Sequence, residues 1–311
     1  MELLDAYKAL ADESRLRLVY ILSQGYFNVQ ELTSILAISQ PTVSHHLKVL
    51  QGAGITTSYK EGTWTYHKLR TAGGDALAPA VALNFLELAA SASQNGHTNL
   101  LARDKEAINE ILARRRDASH RYFESVASNW REIRREAQGD TAYFPELATL
   151  IPDKGILVEL GCGSGALLEA ILPRAGRTIG VDYSRAMLDE ARRNLGEKAK
   201  NVDLRLGELE HLPLANDSVD VAVACMVLHH IAQPERVIRE AARVLKREGR
   251  FIVVDLVHHT NEYMRERFAD LWLGFEPRDI ESWLKNSRFK TSQTKILGER
   301  QEVFIVSTLK P

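Results

Sequence analysis

The spacing of apolar residues divides the chain into three stretches. In residues 1 to about 74, apolar positions recur at helical intervals, and the stretch ends in two short strand-like runs. In residues about 141 to 311, short apolar runs alternate with helical patterns, whereas residues 75 to 140 are helical almost throughout. Alternation of strands and helices favours a parallel sheet covered by helices. The pattern therefore predicts a mostly helical first domain with a β-hairpin, a helical dimerisation or linker region, and an α/β domain.

The first domain has the pattern of a winged helix–turn–helix. One helix fits Val29–Leu36, and a turn leads to Ser39, which can cap the next helix. That second helix has an inward stripe at i, i+3, i+4 and i+7, formed by Val43, His46, Leu47 and Leu50. Gly52 and Gly54 end it, and residues 55 to 69 predict a hairpin wing.

The opposite face of the second helix suits a DNA major groove, because it presents short polar side chains and a cation. We predict DNA contacts there and from the wing, by Gln40, Thr42, Ser44, His45, Lys48, Lys60 and Thr63. Residues 42 to 70 carry a net charge of +3, although the whole chain carries −1. The alternative is that the two helices pack on a neighbour and contact no DNA.

The second domain reads as a doubly wound sheet. The predicted strands are Ile156–Leu160, Thr178–Val181, Val202–Leu206, Val219–Cys225 and Arg250–Leu256, with helices at about 166–172, 184–195 and 234–246. Two further runs, Gln293–Leu297 and Glu302–Thr308, predict a hairpin that makes the final strand antiparallel.

Chemistry-bearing residues follow these strands, at the edge where open α/β sheets bind ligands. Gly161, Gly163 and Gly165 follow the first strand and open a helix, which permits close approach of a ligand to the backbone. This spacing also satisfies a loose dinucleotide fingerprint, and a loop without a ligand is a further alternative. Asp182 ends the second strand, where an acid can accept both ribose hydroxyls, and Glu208 follows the third.

Residues 3 to 70 resemble the ArsR/SmtB family of winged-helix repressors. The resemblance lies in Leu10–Leu18, Ser39–Leu50, Gly54-Ile55 and Glu61–Tyr66. It implies a homodimer that reads an inverted repeat in double-stranded DNA, with residues 75–92 as a dimer helix. Metal sensors of this family often carry a cysteine-rich motif where this chain has Phe27–Leu32, so no metal is expected here.

Residues about 141 to 311 resemble the class I S-adenosylmethionine-dependent methyltransferases, which implies S-adenosylmethionine or S-adenosylhomocysteine as ligand. The glycine loop with Cys162 would meet the methionine part, Glu159 would order that loop, and Asp182 would hold the ribose. Tyr183, Met187, Glu208 and Leu209 would surround the adenine, and Cys225 and Met226 would line the sulfur end. Binding of NAD becomes a remote alternative.

The catalytic residues are less well specified. His229 and His230 follow the fourth strand and are candidates for a base, although a structural role is equally expected. Two cysteines are too few for an arsenic-methylating pattern, and His258-His259 lacks an acid at ligand spacing. The absence of a signal sequence, of a disulfide pattern and of a membrane-length apolar run leads us to expect a cytoplasmic protein.

Three hypotheses for the function follow. The preferred one is a transcriptional regulator whose second domain senses the nucleoside; such fusions resemble homocysteine-nucleoside-responsive repressors of methionine-cycle genes. The second is an active small-molecule methyltransferase whose winged helix dimerises or localises it. The third is a scaffold, which predicts no nucleoside binding.

Overall fold

The computed structural model describes residues 3–61, 64–70, 77–94, 101–138, 143–172, 176–298 and 302–311. The chain forms two compact units, Met1–Arg115 and Arg116–Pro311. The division falls inside one long helix, Ala102–Val126, which contributes residues to both units.

The first unit is a winged helix–turn–helix. Its elements are α1 (Leu3–Leu10), α2 (Glu13–Ser23), β1 (Phe27–Asn28), α3 (Val29–Leu36), α4 (Gln40–Gly52), β2 (Thr56–Glu61), β3 (Trp64–Leu69), α5 (Leu77–Gln94) and the first part of α6 (Ala102–Val126). The strands form an antiparallel sheet in the order β1-β3-β2, in which β2 and β3 are the predicted wing. The helix predicted over residues 75–92 begins at Leu77, and residues 75 and 76 lie outside the described ranges.

Local hydrogen bonds fix the helix–turn–helix. Asn28 caps α3 by accepting from the backbone N–H of Glu31, whose carboxylate accepts from the N–H of Asn28 in return. Ala37 then adopts a left-handed conformation with φ 55°, which turns the chain. Ser39 caps α4 through the N–H of Thr42, as the sequence predicts. The predicted stripe Val43, His46, Leu47 and Leu50 is buried.

The second unit is an α/β domain. Its elements after α6 are α7 (Trp130–Gln138), α8 (Phe144–Leu150), β4 (Ile156–Leu160), α9 (Ala166–Ile171), β5 (Arg177–Asp182), α10 (Arg185–Leu195), β6 (Val202–Leu206), β7 (Val219–Cys225), α11 (Pro234–Val244), β8 (Leu245–Leu256), α12 (Tyr263–Phe268), α13 (Pro277–Asn286), β9 (Gln293–Leu297) and β10 (Val303–Leu309).

Its seven strands have the order β6-β5-β4-β7-β8-β10-β9. The first five in this order are parallel, and β10 is antiparallel to both neighbours, which confirms the predicted final hairpin. The chain runs outward from β4 through β5 to β6 and then returns to β7 on the other side of β4. The topological switch point therefore lies between β4 and β7, where ligands of such folds bind beyond the strand ends.

The sequence pattern did not predict three short helices of the second unit, α8, α12 and α13. It also extended the helix before β8 to residue 246, whereas α11 ends at Val244 and β8 begins at Leu245. Among the described residues, no helix combines the length and the apolar character needed to cross a bilayer.

Candidate ligand pocket and nucleic-acid interface

The loop after β4 requires glycine at the predicted positions. Gly161, Gly163 and Gly165 have φ values of 71°, 48° and 81°, in the left-handed region that favours glycine. A Cβ on Gly161 would lie 2.3 Å from the side chain of Val227. The N–H groups of Gly161 and Cys162 both donate to the carbonyl of Val181, at 2.8 and 3.0 Å. These two hydrogen bonds hold the loop against the end of β5.

Asp182, at the end of β5, holds the same loop. Its carboxylate accepts from the N–H of Gly163 at 2.8 Å and from the N–H of Ser184 at 2.9 Å. Burial raises the pKa of Asp182 to about 6, although these two backbone donors oppose the shift. Each carboxylate oxygen retains a second lone pair, so the group can still accept hydrogen bonds from a ligand.

Beside this loop, at the switch point, lies a pocket that encloses about 710 Å³ when its solvent-open mouth is included. Ten of the twelve predicted cofactor-binding residues line it: Glu159, Gly161, Cys162, Gly163, Asp182, Tyr183, Met187, Leu209, Cys225 and Met226. Gly165 does not line it; a Cβ there would meet Ala191 at 3.2 Å, so this glycine allows α9 and α10 to approach each other. Whether these residues bind a cofactor stays a prediction.

Glu208 and His120 line a smaller neighbouring cavity. Tyr183, Leu209, His230 and Ile231 line both cavities. The imidazole of His120 stacks on the ring of Tyr183, with centroids 3.8 Å apart and an angle of 18° between the planes. Its Nε2 lies 3.6 Å from Glu208 Oε2, and this interaction lowers the pKa of Glu208.

Residues before β4 form a wall that sequence reasoning missed. Phe123 of α6 and Trp130 of α7 pack with Met187 and line the larger cavity, as do Arg134 and Tyr143. The signal was present in the sequence, because Tyr122, Phe123 and Trp130 interrupt an otherwise charged helical stretch. The helical pattern of that stretch predicts only a connection, and no motif links it to the pocket.

The two candidate catalytic histidines have different surroundings. His230 lines the cavity, and burial, together with the charge of His229, lowers its pKa well below the ordinary value. The Nδ1 of His229 lies 2.6 Å from Asp255 Oδ1 in the core. Burial alone would lower the pKa of His229, but Asp255 and Asp270 raise it to about 9. The geometry favours a structural role for His229, and a catalytic role for either residue stays a prediction.

The expected absence of a metal stays a prediction as well. His229, His230 and Asp270 place one ligand atom each within 4.8 Å of one another, and all three are buried. The local sequence around His229 and His230 does not predict this cluster, because Asp270 lies forty residues beyond His230 in the chain.

The predicted DNA-reading face of α4 is exposed. Gln40, Thr42, Ser44, His45 and Lys48 all face solvent, opposite the buried stripe. Lys60 in β2 is exposed too, and Thr63 lies outside the described residues. A recognition helix requires one apolar side that packs on its own domain and one polar, basic side that meets the DNA, and α4 has both. DNA contact by these residues stays a prediction.

Comparisons with known proteins agree with this division. A family model of the methyltransferase domain matches residues 158–253, and a model of bacterial regulatory proteins of the arsR family matches residues 12–58. The chain is 32% identical over 184 residues to the ubiquinone biosynthesis O-methyltransferase of Hahella chejuensis, an overlap of 53% of this chain and 77% of that protein. It is 36% identical over 150 residues to the methyltransferase YcgJ of Bacillus subtilis, which covers 41% of this chain and 59% of YcgJ.

The overlaps with several relatives are partial, since the chain spans 28%, 59% and 29% of the length of the first three. A solved structure of an S-adenosylmethionine-dependent methyltransferase from Thermotoga maritima superposes with a TM-score of 0.50 at 21% identity, covering 62% of this chain and 100% of that one. At this identity the likeness shows the fold alone.

Proposed function

We propose that this chain, which belongs to the class I S-adenosylmethionine-dependent methyltransferases and carries an ArsR-family helix–turn–helix, is a transcriptional regulator that senses S-adenosylhomocysteine or S-adenosylmethionine. One observation carries the proposal: the same chain holds a pocket at the switch point and a helix, α4, whose exposed polar face suits a DNA groove. Genes of the methionine cycle, which makes and consumes both nucleosides, are the proposed targets.

Three acids lie at the carboxyl ends of neighbouring strands, in the order of the parts of such a nucleoside. Glu208 follows β6, Asp182 ends β5, and Glu159 lies near the end of β4. Neighbouring strands are about 4.8 Å apart, so the carboxylates are spread along the strand ends. We assign the adenine edge to Glu208 and the ribose hydroxyls to Asp182. The amino-acid portion then lies beside β4.

An acidic and a basic side chain at that end of the cavity support this orientation. Glu159 is only 3% exposed, and within the described part of the chain its Oε2 has no hydrogen-bond partner. Arg134 lines the same cavity. Burial raises the pKa of Glu159 well above its ordinary value, and the charge of Arg134 opposes that shift. An α-amino acid carries an ammonium and a carboxylate, which Glu159 and Arg134 would respectively hold.

Dimerisation would use the helices beside the recognition unit. α1 packs against α5, and large apolar side chains on both remain exposed: Leu3, Leu4, Tyr7 and Leu88. Burial of such a patch in a second copy is a common use of exposed apolar surface. To match an inverted repeat, a two-fold dimer has to present its two α4 helices to major grooves about 34 Å apart, one turn of DNA.

The helix α6 is the proposed carrier of the signal. In the first unit its buried Asp104 accepts from Arg17 at 2.6 and 2.8 Å, and its Arg115 binds Glu31 at 2.6 and 2.7 Å. Glu31 also completes the cap of α3. In the second unit the same helix contributes Phe123 to the larger cavity. A ligand that displaces α6 would therefore change the support of the helix–turn–helix.

Operator binding measured with and without nucleoside tests the proposal. An operator selected from random duplex DNA would be titrated by fluorescence anisotropy in saturating S-adenosylhomocysteine, S-adenosylmethionine or buffer. We expect at least one nucleoside to change the dissociation constant by about 5- to 150-fold, the usual range of allosteric coupling. Identical affinities in all three conditions would refute the sensor. Asp182→Ala should abolish the response while basal DNA affinity stays near that of the parent protein.

The rival activity needs a separate assay. Incubation with methyl-labelled S-adenosylmethionine and cell extract should yield no labelled product that depends on Asp182. A labelled product that does depend on Asp182 would show that the protein is an enzyme. Sensing would then be excluded only if the nucleosides left the operator affinity unchanged.

A further inference from the structure

His120 makes two contacts of the kind that an adenine ring needs. Its flat imidazole lies over Tyr183 at 3.8 Å, nearly parallel to it, and its Nε2 faces the carboxylate of Glu208 at 3.6 Å. Adenine likewise offers a flat ring for stacking and an amino group that donates to a carboxylate. The histidine therefore engages both protein groups that we assign to the nucleobase.

The cavities place this histidine on the path to Glu208. The larger cavity reaches Tyr183 and Leu209 but not Glu208 or His120. Glu208 and His120 line the smaller cavity together, and Tyr183 and Leu209 belong to both. A nucleobase that extends from the larger cavity to Glu208 has to enter the space in which His120 now contacts Tyr183 and Glu208.

We propose that His120 is an internal substitute for the nucleobase, which holds the adenine subsite in the nucleoside-free protein and is displaced when a nucleoside binds. This inference rests on the proposed function, because it takes Tyr183 and Glu208 as the adenine subsite. The pair formed by His120 and Glu208 is partly exposed, with 31% and 44% of the side chains accessible, so a ligand can compete for it.

The location of His120 gives its displacement a consequence. His120 lies in α6, four turns beyond Asp104 and little more than one turn beyond Arg115. Those two residues join α6 to Arg17 and Glu31. Release of His120 from Tyr183 and Glu208 removes two contacts of α6 in the second unit. The adenine ring of the effector, rather than its sulfur end, is thus the part that moves the helix.

Calorimetric titration of His120→Ala with adenosine and S-adenosylhomocysteine tests the inference. Removal of a competitor should tighten both nucleosides, by about 3- to 30-fold if the stack and the ion pair have ordinary strength. The same variant should lose most of the nucleoside-dependent change in operator affinity. His211→Ala is the matched control, since His211 is an exposed histidine whose charge also acts on Glu208. It should leave both measurements within about twofold, as expected for a surface substitution.

The opposite result is equally clear. If His120→Ala weakens both nucleosides, His120 is a direct contact of the bound adenine and the inference is wrong. A structure of the nucleoside complex in which His120 still stacks on Tyr183 would overturn it too. His120→Gln keeps a polar side chain but has no aromatic ring, so this variant should also bind both nucleosides more tightly. It provides a second test if the alanine variant does not fold. If no nucleoside binds to the parent protein or to either variant, the proposed function itself fails.

Discussion

Nucleoside affinity should fall as the pH is lowered through about 6, the value to which burial raises the pKa of Asp182. The ionised carboxylate accepts from ribose hydroxyls, whereas the protonated acid has less capacity to accept. Ligand donors stabilise the charged form, so the pKa of this group is lower in the complex than in the free protein. Affinity is therefore complete above the pKa of the free protein and is lost as the pH falls below it.

The magnitude follows from the ionised fraction. With a pKa of about 6, Asp182 is nearly fully ionised at about pH 8, and only about one tenth of it is ionised at about pH 5. The dissociation constant should rise about tenfold over this interval, which corresponds to about 1.4 kcal/mol. The slope should approach one decade per pH unit at the acid end.

Methylthioadenosine is the appropriate probe for this titration. It has the adenine and the ribose but lacks the amino-acid group, so it does not report on Glu159. Binding can be followed by calorimetry or by the fluorescence of Trp130, which lines the cavity. Folding at each pH should be verified by circular dichroism.

Asp182→Asn is the control variant. Its amide cannot ionise, so the acid-dependent loss should disappear. Its NH₂ group must face the N–H of either Gly163 or Ser184, since both now donate to this side chain. A lost hydrogen bond and an unsatisfied donor cost about 1–3 kcal/mol, so weaker binding at every pH is expected. A flat profile in the parent protein, or the same slope in Asp182→Asn, would refute the assignment of the ribose to Asp182.

Three further outcomes are expected. In calorimetry, Arg134→Gln should weaken the binding of S-adenosylhomocysteine by about 10- to 100-fold through loss of a charge-assisted contact, and it should leave the binding of methylthioadenosine unchanged. Arg135→Gln, a change at an exposed neighbour on α7, should alter the binding of neither ligand. In anisotropy titrations Lys48→Ala should weaken all DNA sequences and reduce the salt dependence, whereas Gln40→Ala should relax base preference by about 1–3 kcal/mol; a change of preference alone for Lys48→Ala would contradict the facing of α4. Arg115→Gln removes both contacts with Glu31 and should lower the melting temperature of the first unit and reduce the nucleoside response; an undiminished response would exclude this contact from the coupling.

The sequence predicts the place of a residue most specifically where only one structural role suits that residue type. Val43 and Leu47 had to be buried once α4 was a helix, and the structure agrees. The glycine loop was equally specific, because Gly161 and Gly163 need positive φ. The strand bounds Ile156–Leu160 agree because a short, mostly apolar run between Gly155 and Gly161 favours a buried strand.

The parts that were missed depend on contacts far apart in the chain. Trp130 and Arg134 reach the pocket from a helix that precedes the whole sheet, and nothing in their local pattern records that approach. The partner of His229 is Asp255, the second-to-last residue of β8, and the role of this acid after an apolar run becomes clear only when β7 and β8 are paired. Periodicity identifies which face of an element is buried, but it does not identify the element that covers it.

The regulator and the enzyme with a DNA-binding module differ in the coupling between nucleoside binding and operator binding. If a nucleoside changes operator affinity by some factor, the operator must change nucleoside affinity by the same factor. An enzyme whose winged helix only localises it obeys the same relation with a factor of one, so its nucleoside affinity does not respond to DNA. His120 offers a route for this reciprocal effect, because a change in α6 caused by DNA binding would alter the contacts of His120 with Tyr183 and Glu208. Titration of S-adenosylhomocysteine into the protein with and without saturating operator should therefore reproduce the factor seen in DNA binding. Unequal factors at equilibrium would mean that the two measurements do not report the same two states.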